Sequence, residues 1–161
     1  MPKYIIFDID DTLVSNPNFN KYIPKDNTRE AWDIYLEKID YYKHAECNKK
    51  MVDILNVLAK EYTILFVTSR EHTPDNRVLK NTYNTLKDIV NVSENGCELF
   101  MRDYNDFRPS WRVKEDLFTL HGIDPKDIMV AIDDNIDNIN MFKRYGITTL
   151  CVNLGDNYES F

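Results

Sequence analysis

Only four glycines occur in 161 residues, with no repeat and no low-complexity tract, which argues against flexible linkers and repeat architectures. Cysteine is equally sparse. Cys47, Cys97 and Cys151 are odd in number and widely spaced, so they suggest neither a disulfide framework nor a Cys-x-x-Cys metal knuckle, and a reducing compartment fits them best. The histidines supply no zinc site: His44 and Cys47 have ligand-like spacing, but no second pair completes a tetrahedron, and His72 and His121 stand apart. Long apolar runs are also missing. The first, Tyr4 to Phe7, ends in acid, far short of a signal-peptide core or a membrane span, so the expectation is a cytoplasmic protein with no membrane partner. Positive charge is in deficit, since 27 acidic against 20 basic residues leave a net charge of -7. That balance opposes non-specific nucleic-acid binding and remains compatible with a small anion met through a metal.

What is present is core material. A hydrophobic content of 43% over 161 residues suffices for one compact domain, taken here as 1–161. The run Tyr4-Ile5-Ile6-Phe7 reads as a strand buried on both faces, Thr63 to Val67 as a second buried strand, Cys97 to Met101 as a short third, and Ile128 to Ile132 and Thr148 to Val152 as the fourth and fifth. Helices alternate with them, over about 48–60, from Thr73-Pro74 onward, over about 111–120 and over about 136–145. In the second of these, Leu79, Tyr83, Leu86 and Val90 mark the expected inner face. The expected fold is therefore α/β, a Rossmann-like doubly wound parallel sheet. A small helical insert after the first strand occupies about 15–46. Its helix, about 28–42, carries Trp32, Tyr35, Leu36 and Ile39 on one face.

Open parallel sheets bind ligands beyond the carboxyl ends of their strands. The residues there are acids, hydroxyls and cations: Asp8, Asp10, Asp11 and Thr12 after the first strand, Thr68, Ser69 and Arg70 after the second, Asp133 and Asp134 after the fourth, with Lys114 on the helix leading into that strand. Several carboxylates at one edge raise each other's pKa unless a cation neutralises them. An all-oxygen set suits Mg²⁺. Phosphoryl transfer needs a nucleophile, an acid/base and positive charge around the phosphoryl oxygens, and each has a candidate here. Asp11, Asp103 and Asp137 read instead as solvated turn acids. Arg70 has two readings, a phosphate ligand or a surface ion-pair partner of Glu71 or Asp75.

The run Phe7-Asp8-Ile9-Asp10-Asp11-Thr12-Leu13 resembles the first motif of the haloacid dehalogenase (HAD) superfamily. Val67-Thr68, Lys114 and Asp133-Asp134 resemble the second, third and fourth, in order. The resemblance implies that Asp8 is the nucleophile and Asp10 the general acid and base, that Thr68 and Lys114 bind phosphoryl oxygens, that Asp8, the Asp10 carbonyl and Asp133 hold Mg²⁺, and that Asp134 stands behind them. A closer resemblance is to the phosphatase domain of phage polynucleotide kinase and its stand-alone phage relatives, through Thr68-Ser69-Arg70-Glu71, Val113-Lys114-Glu115 and Ala131-Ile132-Asp133-Asp134. Three positions depart from it: Ser110 replaces an Asp, Phe19 stands near an expected arginine, and Asn135 replaces another arginine. All three fall on expected substrate contacts. The implied activity is a phosphomonoesterase acting on a nucleotide, with a 5′-deoxynucleoside monophosphate ahead of a polynucleotide terminal phosphate. Thr12, Ser69, Arg70, Trp32 and Tyr35 are the candidate substrate contacts. The insert aromatics Phe19, Tyr22, Trp32, Tyr35, Tyr41 and Tyr42 are either the packing of the insert or a base-stacking lid.

Overall fold

The computed structural model describes residues 1–91 and 95–152. Its elements run β1 (Tyr4–Phe7), β2 (Val14–Ser15), α1 (Pro17–Lys21), α2 (Arg29–Lys38), β3 (Glu46–Cys47), α3 (Lys49–Leu58), β4 (Thr63–Glu71), α4 (Arg77–Ile89), β5 (Cys97–Arg102), α5 (Ser110–Leu120), β6 (Ile128–Asp133), α6 (Ile136–Arg144) and β7 (Thr149–Cys151). Five strands form a parallel sheet in the order β5-β4-β1-β6-β7. The chain builds outward from β1 to β5 and then returns to β6 on the other side. The switch point, where such sheets bind ligands, therefore lies at the carboxyl end of β1.

Strand alternation divides the apolar side chains between two cores. Ile5, Phe7, Ile64, Phe66, Val130 and Ile132 pack under Leu55 of α3 and Leu86 and Ile89 of α4. Ile6, Leu65, Val67 and Ala131 pack on the opposite face against Phe118 of α5 and Met141 and Phe142 of α6. Each fully buried side chain of this kind contributes about 1.5–3 kcal/mol, so the two faces hold the sheet between helix layers. Both faces of β1 are covered, as its unbroken apolar run implies.

The insert leaves and rejoins the body through the antiparallel pair β2–β3, with Val14 opposite Cys47 and Ser15 opposite Glu46. Its own small core joins Phe19, Tyr35, Leu36, Ile39 and Tyr42 to Val78 of α4. The insert helix is shorter than its sequence suggests. It stops at Lys38, and Asp40, Tyr41 and Tyr42 all take positive φ (47°, 51° and 65°). Left-handed backbone costs about 1–2 kcal/mol per non-glycine residue. This strained turn carries Tyr42 into the insert core and sets its ring over Arg70.

Two further expectations shift. Thr73-Pro74 makes a turn rather than a helix start: Asn76 N–H donates to the Thr73 carbonyl at 2.9 Å, and α4 begins at Arg77. Its buried face is Val78, Thr82, Leu86 and Ile89, while Tyr83 is exposed. A polar residue at a core position hid that face from a purely apolar pattern.

Candidate active site

Beyond Phe7 the chain stays anchored to the sheet, with Asp8 N–H donating to the Ile132 carbonyl at 2.9 Å. It then coils tightly. The Ile9 carbonyl accepts from Leu13 N–H at 2.9 Å and Val14 N–H at 3.1 Å, and Asp11 turns the chain at φ 58°. Ile9 is fully buried, which pins the turn and fixes Asp8 and Asp10 on either side of it. Thr12 is also fully buried, and its hydroxyl donates to Asp8 Oδ2 at 3.2 Å. Expected at the substrate, Thr12 instead braces Asp8.

Lys114 lies one turn into α5 and is 1% exposed. Its Nζ donates to Asp8 Oδ1 at 2.5 Å and to Asp133 Oδ2 at 2.7 Å, joining residues from β1, α5 and β6 in one buried cluster. Burial works against its charge, but Asp133 and Asp8 outweigh it and raise the lysine pKa, so it stays protonated. Asp8 is pushed well above the usual carboxylate range by burial, with Lys114 opposing and Asp133, Asp134 and Asp10 adding to the rise. Burial first, then Asp133, raises Asp134 to about 6. Carboxylate oxygens of Asp8, Asp133 and Asp134 all lie within 4.8 Å of one another. Three crowded, hard oxygen donors with one lysine among them fit a divalent ion such as Mg²⁺, whose charge would offset the burial and repulsion that raise Asp8 and Asp134. Asp134, expected behind this group, stands within it.

Asp10 points the other way, to Arg70 at the end of β4. The guanidinium donates through Nε to Asp10 Oδ2 at 2.9 Å and through Nη2 to Oδ1 at 2.6 Å. Its remaining Nη1 donates to Thr82 Oγ1 at 3.1 Å, and the ring centroid of Tyr42 lies 4.2 Å from Cζ. Arg70 is 1% exposed. It is thus a buried partner of Asp10 rather than a surface ion-pair partner of Glu71 or Asp75, and it also lines the cleft beside Asp10. Its fork is committed to orienting Asp10. Thr68, at 1% exposure, accepts from Arg70 N–H at 3.1 Å and keeps its own hydroxyl proton to donate.

A cleft of about 340 Å³ opens beside Asp10. Trp32 and Leu36 of α2, Tyr42, Phe107, Arg108, Pro109, Ser69 and Ser110 are among the residues that line it. The two serine hydroxyls are 2.5 Å apart, so Ser110 meets Ser69 where an acid was expected from the resemblance. Tyr35 is not at the cleft. It is 6% exposed, and its hydroxyl donates to the Phe19 carbonyl at 3.0 Å, which makes it core of the insert.

A family model described as the polynucleotide kinase PNKP phosphatase domain, of the HAD type, matches residues 2–157. The chain belongs to this phosphatase-domain family. The fold agrees. A chain of the Pnkp1/Rnl/Hen1 complex superposes with a TM-score of 0.69 at 24% identity, over 97% of this chain and 47% of that one. A haloacid dehalogenase-like hydrolase from Streptococcus pneumoniae gives 0.63 at 16% identity, covering 96% and 86%. A HAD family enzyme from Bacteroides thetaiotaomicron, crystallised with magnesium and inorganic phosphate, gives 0.57 at 17%, covering 99% and 98%. The present chain spans about half the length of the first of these, 47%. Residues 2–157 are thus a HAD-type phosphatase domain by family.

Asn138 and Thr82 escaped the sequence reading, and Tyr42 entered it only as an insert aromatic. Asn138 of α6 is 2% exposed, and its Nδ2 donates to both oxygens of Asp133 at 3.0 and 3.1 Å. Thr82 and Tyr42 hold Arg70. The available signal was a polar residue on the buried face of an amphipathic helix: Asn138 precedes Met141 and Phe142 by three and four residues, and Thr82 lies between Val78 and Leu86. Asn135, standing where the resemblance expects an arginine, caps α6 and donates its N–H to Asp133 at 2.9 Å.

Proposed function

We propose that this phosphatase is Mg²⁺-dependent, that it acts through an aspartyl-phosphate on Asp8, and that its substrate is the terminal phosphate of a nucleic-acid 3′ end. The observation that carries the chemistry is the buried Asp8–Lys114–Asp133 cluster with Asp10 held beside it by Arg70. Asp8 attacks phosphorus while Asp10 gives its proton to the departing oxygen, so the P–O bond to the leaving group breaks as the bond to Asp8 forms. Asp10, now ionised, takes a proton from water as that water attacks the phosphoryl group, releasing phosphate and restoring Asp8. Lys114 balances charge on Asp8 and the phosphoryl oxygens, and Thr68 donates its hydroxyl to one of them. Asp8, the Asp10 main-chain carbonyl and Asp133 would hold Mg²⁺, with Asp134 beside them. When bound, the ion draws the phosphate in and neutralises its charge.

The family match over 2–157 supports a polynucleotide end as substrate. One observation favours a free mononucleotide instead: the chain carries -7, and the charged residues lining the cleft are three acids (Asp10, Glu71, Asp106) against three arginines (Arg70, Arg102, Arg108), which offers no net basic track for a strand. A panel of 3′- and 5′-phosphorylated oligonucleotides, 3′- and 5′-mononucleotides and sugar phosphates, assayed with Mg²⁺, decides between them. Fastest turnover of the 3′-phosphorylated oligonucleotide supports the first reading. Fastest turnover of a mononucleotide replaces it with the second, and inertness toward every nucleotide and oligonucleotide excludes both.

A further inference from the structure

The general acid must touch the leaving oxygen, so the leaving group of any substrate lies on the Asp10 side of the phosphate. That side is the cleft. Asp10 lines it, whereas Asp8, Lys114 and Asp133 do not. Its volume of about 340 Å³ lies at the small end of the roughly 300–1,000 Å³ typical of ligand sites, room for one nucleoside rather than several. Its lining carries apolar and aromatic side chains. Trp32 is one of them, with Tyr35 packed T-shaped against the indole at 5.3 Å, and Phe107 and Pro109 are others.

Those lining residues are held by side chains that do no other work in the site. Asn27 Oδ1 accepts from Trp32 Nε1 at 2.8 Å, and its Nδ2 donates to the Phe107 carbonyl at 3.0 Å, so one amide ties Trp32 to the Phe107 backbone. Arg29 adds a second tie. Its Nη1 meets Glu71 Oε1 at 2.5 Å, Glu71 in turn accepts from Asn105 N–H at 2.7 Å, and the guanidinium carbon lies 4.7 Å from the Tyr104 ring. Arg102 donates to the Ser69, Asp106 and Arg108 carbonyls at 2.9, 2.6 and 2.7 Å, which holds the loop 103–109 in shape. The indole N–H is satisfied within the protein, which leaves Trp32 only its π-face to offer a ligand.

We propose that this cleft seats the base of the nucleoside carrying the scissile phosphate, with Trp32 as the stacking face, Phe107 and Pro109 as further apolar lining, and Asn27 as the brace that ties Trp32 to the Phe107 backbone. Recognition by stacking tolerates any base, so the slot distinguishes nucleotides from phosphate esters without a ring rather than one base from another. The inference rests on the phosphomonoesterase reading above and deepens it.

The test compares a nucleoside monophosphate with the corresponding base-free sugar phosphate, each with Mg²⁺. The base should lower KM by about 5- to 150-fold, the range of one base–aromatic stack. Trp32→Ala should erase that advantage while leaving kcat and KM for the sugar phosphate nearly unchanged, and Asn27→Ala should erode it in the same direction. Equal KM for the two substrates in the wild type, or equal losses on both in Trp32→Ala, would overturn the proposal. A second measurement does not need turnover. The chain has two tryptophans, so Trp111→Phe leaves Trp32 as the sole reporter, and in that variant a nucleoside monophosphate should quench the emission while the base-free sugar phosphate should not. If no ester is hydrolysed, the phosphatase reading fails while this titration still decides the slot, since quenching retains it and unchanged emission removes it.

Discussion

Replacing Arg70 by lysine separates orientation of the acid from binding of the phosphate. Lysine keeps the charge but not the fork: the paired bonds from Nε and Nη2 to Asp10 and the bond from Nη1 to Thr82 cannot all be remade by an ammonium. Removing one member of a buried ion pair costs about 3–5 kcal/mol. Here the Asp10 side chain is 26% exposed, and lysine retains a charge, so we expect about 2 kcal/mol, or a fall in Tm of about 4–8 °C at this size. The kinetic effect should be larger. A catalytic group displaced by about 1 Å costs about 10²-fold, and general acid catalysis is worth about 10²–10⁴-fold in all. On alkyl phosphates, whose alkoxide leaving groups need a proton, kcat should therefore fall about 10²-fold with KM little changed. On a nitrophenyl phosphate, which leaves without help, the loss should be only a few-fold. The assay is steady-state kinetics on both esters, with melting curves as a control on folding. Equal loss on both esters, or a rise in KM with kcat preserved, would refute the orienting role and return Arg70 to the phosphate.

Asp133→Asn should weaken Mg²⁺ binding and activity together, and Asn138→Ala should do so by about 10- to 100-fold through Asp133, read by calorimetric titration of the ion. Because burial and crowding raise Asp8 and hold Asp134 at about 6, Mg²⁺ binding at pH 6 should release protons, and the part of the release due to Asp134 should fade as the pH rises well past that value and its carboxyl ionises beforehand. Titrations in buffers of different ionisation enthalpy measure it, and binding without proton release at pH 6 would contradict the raised values. Tyr35→Phe loses one buried hydrogen bond to Phe19, worth about 0.5–1.5 kcal/mol, so Tm should drop by a few degrees with no selective change in KM for nucleotides.

The sheet was legible because the central strands are apolar runs ending in polar residues, and a parallel sheet brings every such end to one edge. Asp8, Thr68 and Asp133 follow from that rule alone. Lys114 needed the order of motifs, since nothing in the local pattern of α5 tells a buried lysine from a solvated one. The partners of these residues were harder to see. Arg70 reads as a phosphate ligand or a surface cation, and its pairing with Asp10 is hidden because Asp10 and Tyr42 lie far off in sequence. The aromatics of the insert stand out in the sequence, but which of them face inward depends on the left-handed turn at Asp40 to Tyr42, and no glycine or asparagine there announces it. Trp32 and Tyr35 share a helix face and still separate, one to the cleft and one to the core.

The central claim is that Asp8 carries the phosphoryl group during turnover. Rapid quenching of a single turnover with Mg²⁺, followed by mass analysis of the peptide containing Asp8, tests it directly. The account predicts a transient gain of one phosphoryl group on Asp8 that decays as phosphate appears, and no gain and no turnover in Asp8→Asn, which should remain folded. Phosphate release with Asp8 unmodified at every quench time, or an Asp8→Asn variant keeping about a tenth of the rate, would contradict it, because loss of a nucleophile costs orders of magnitude.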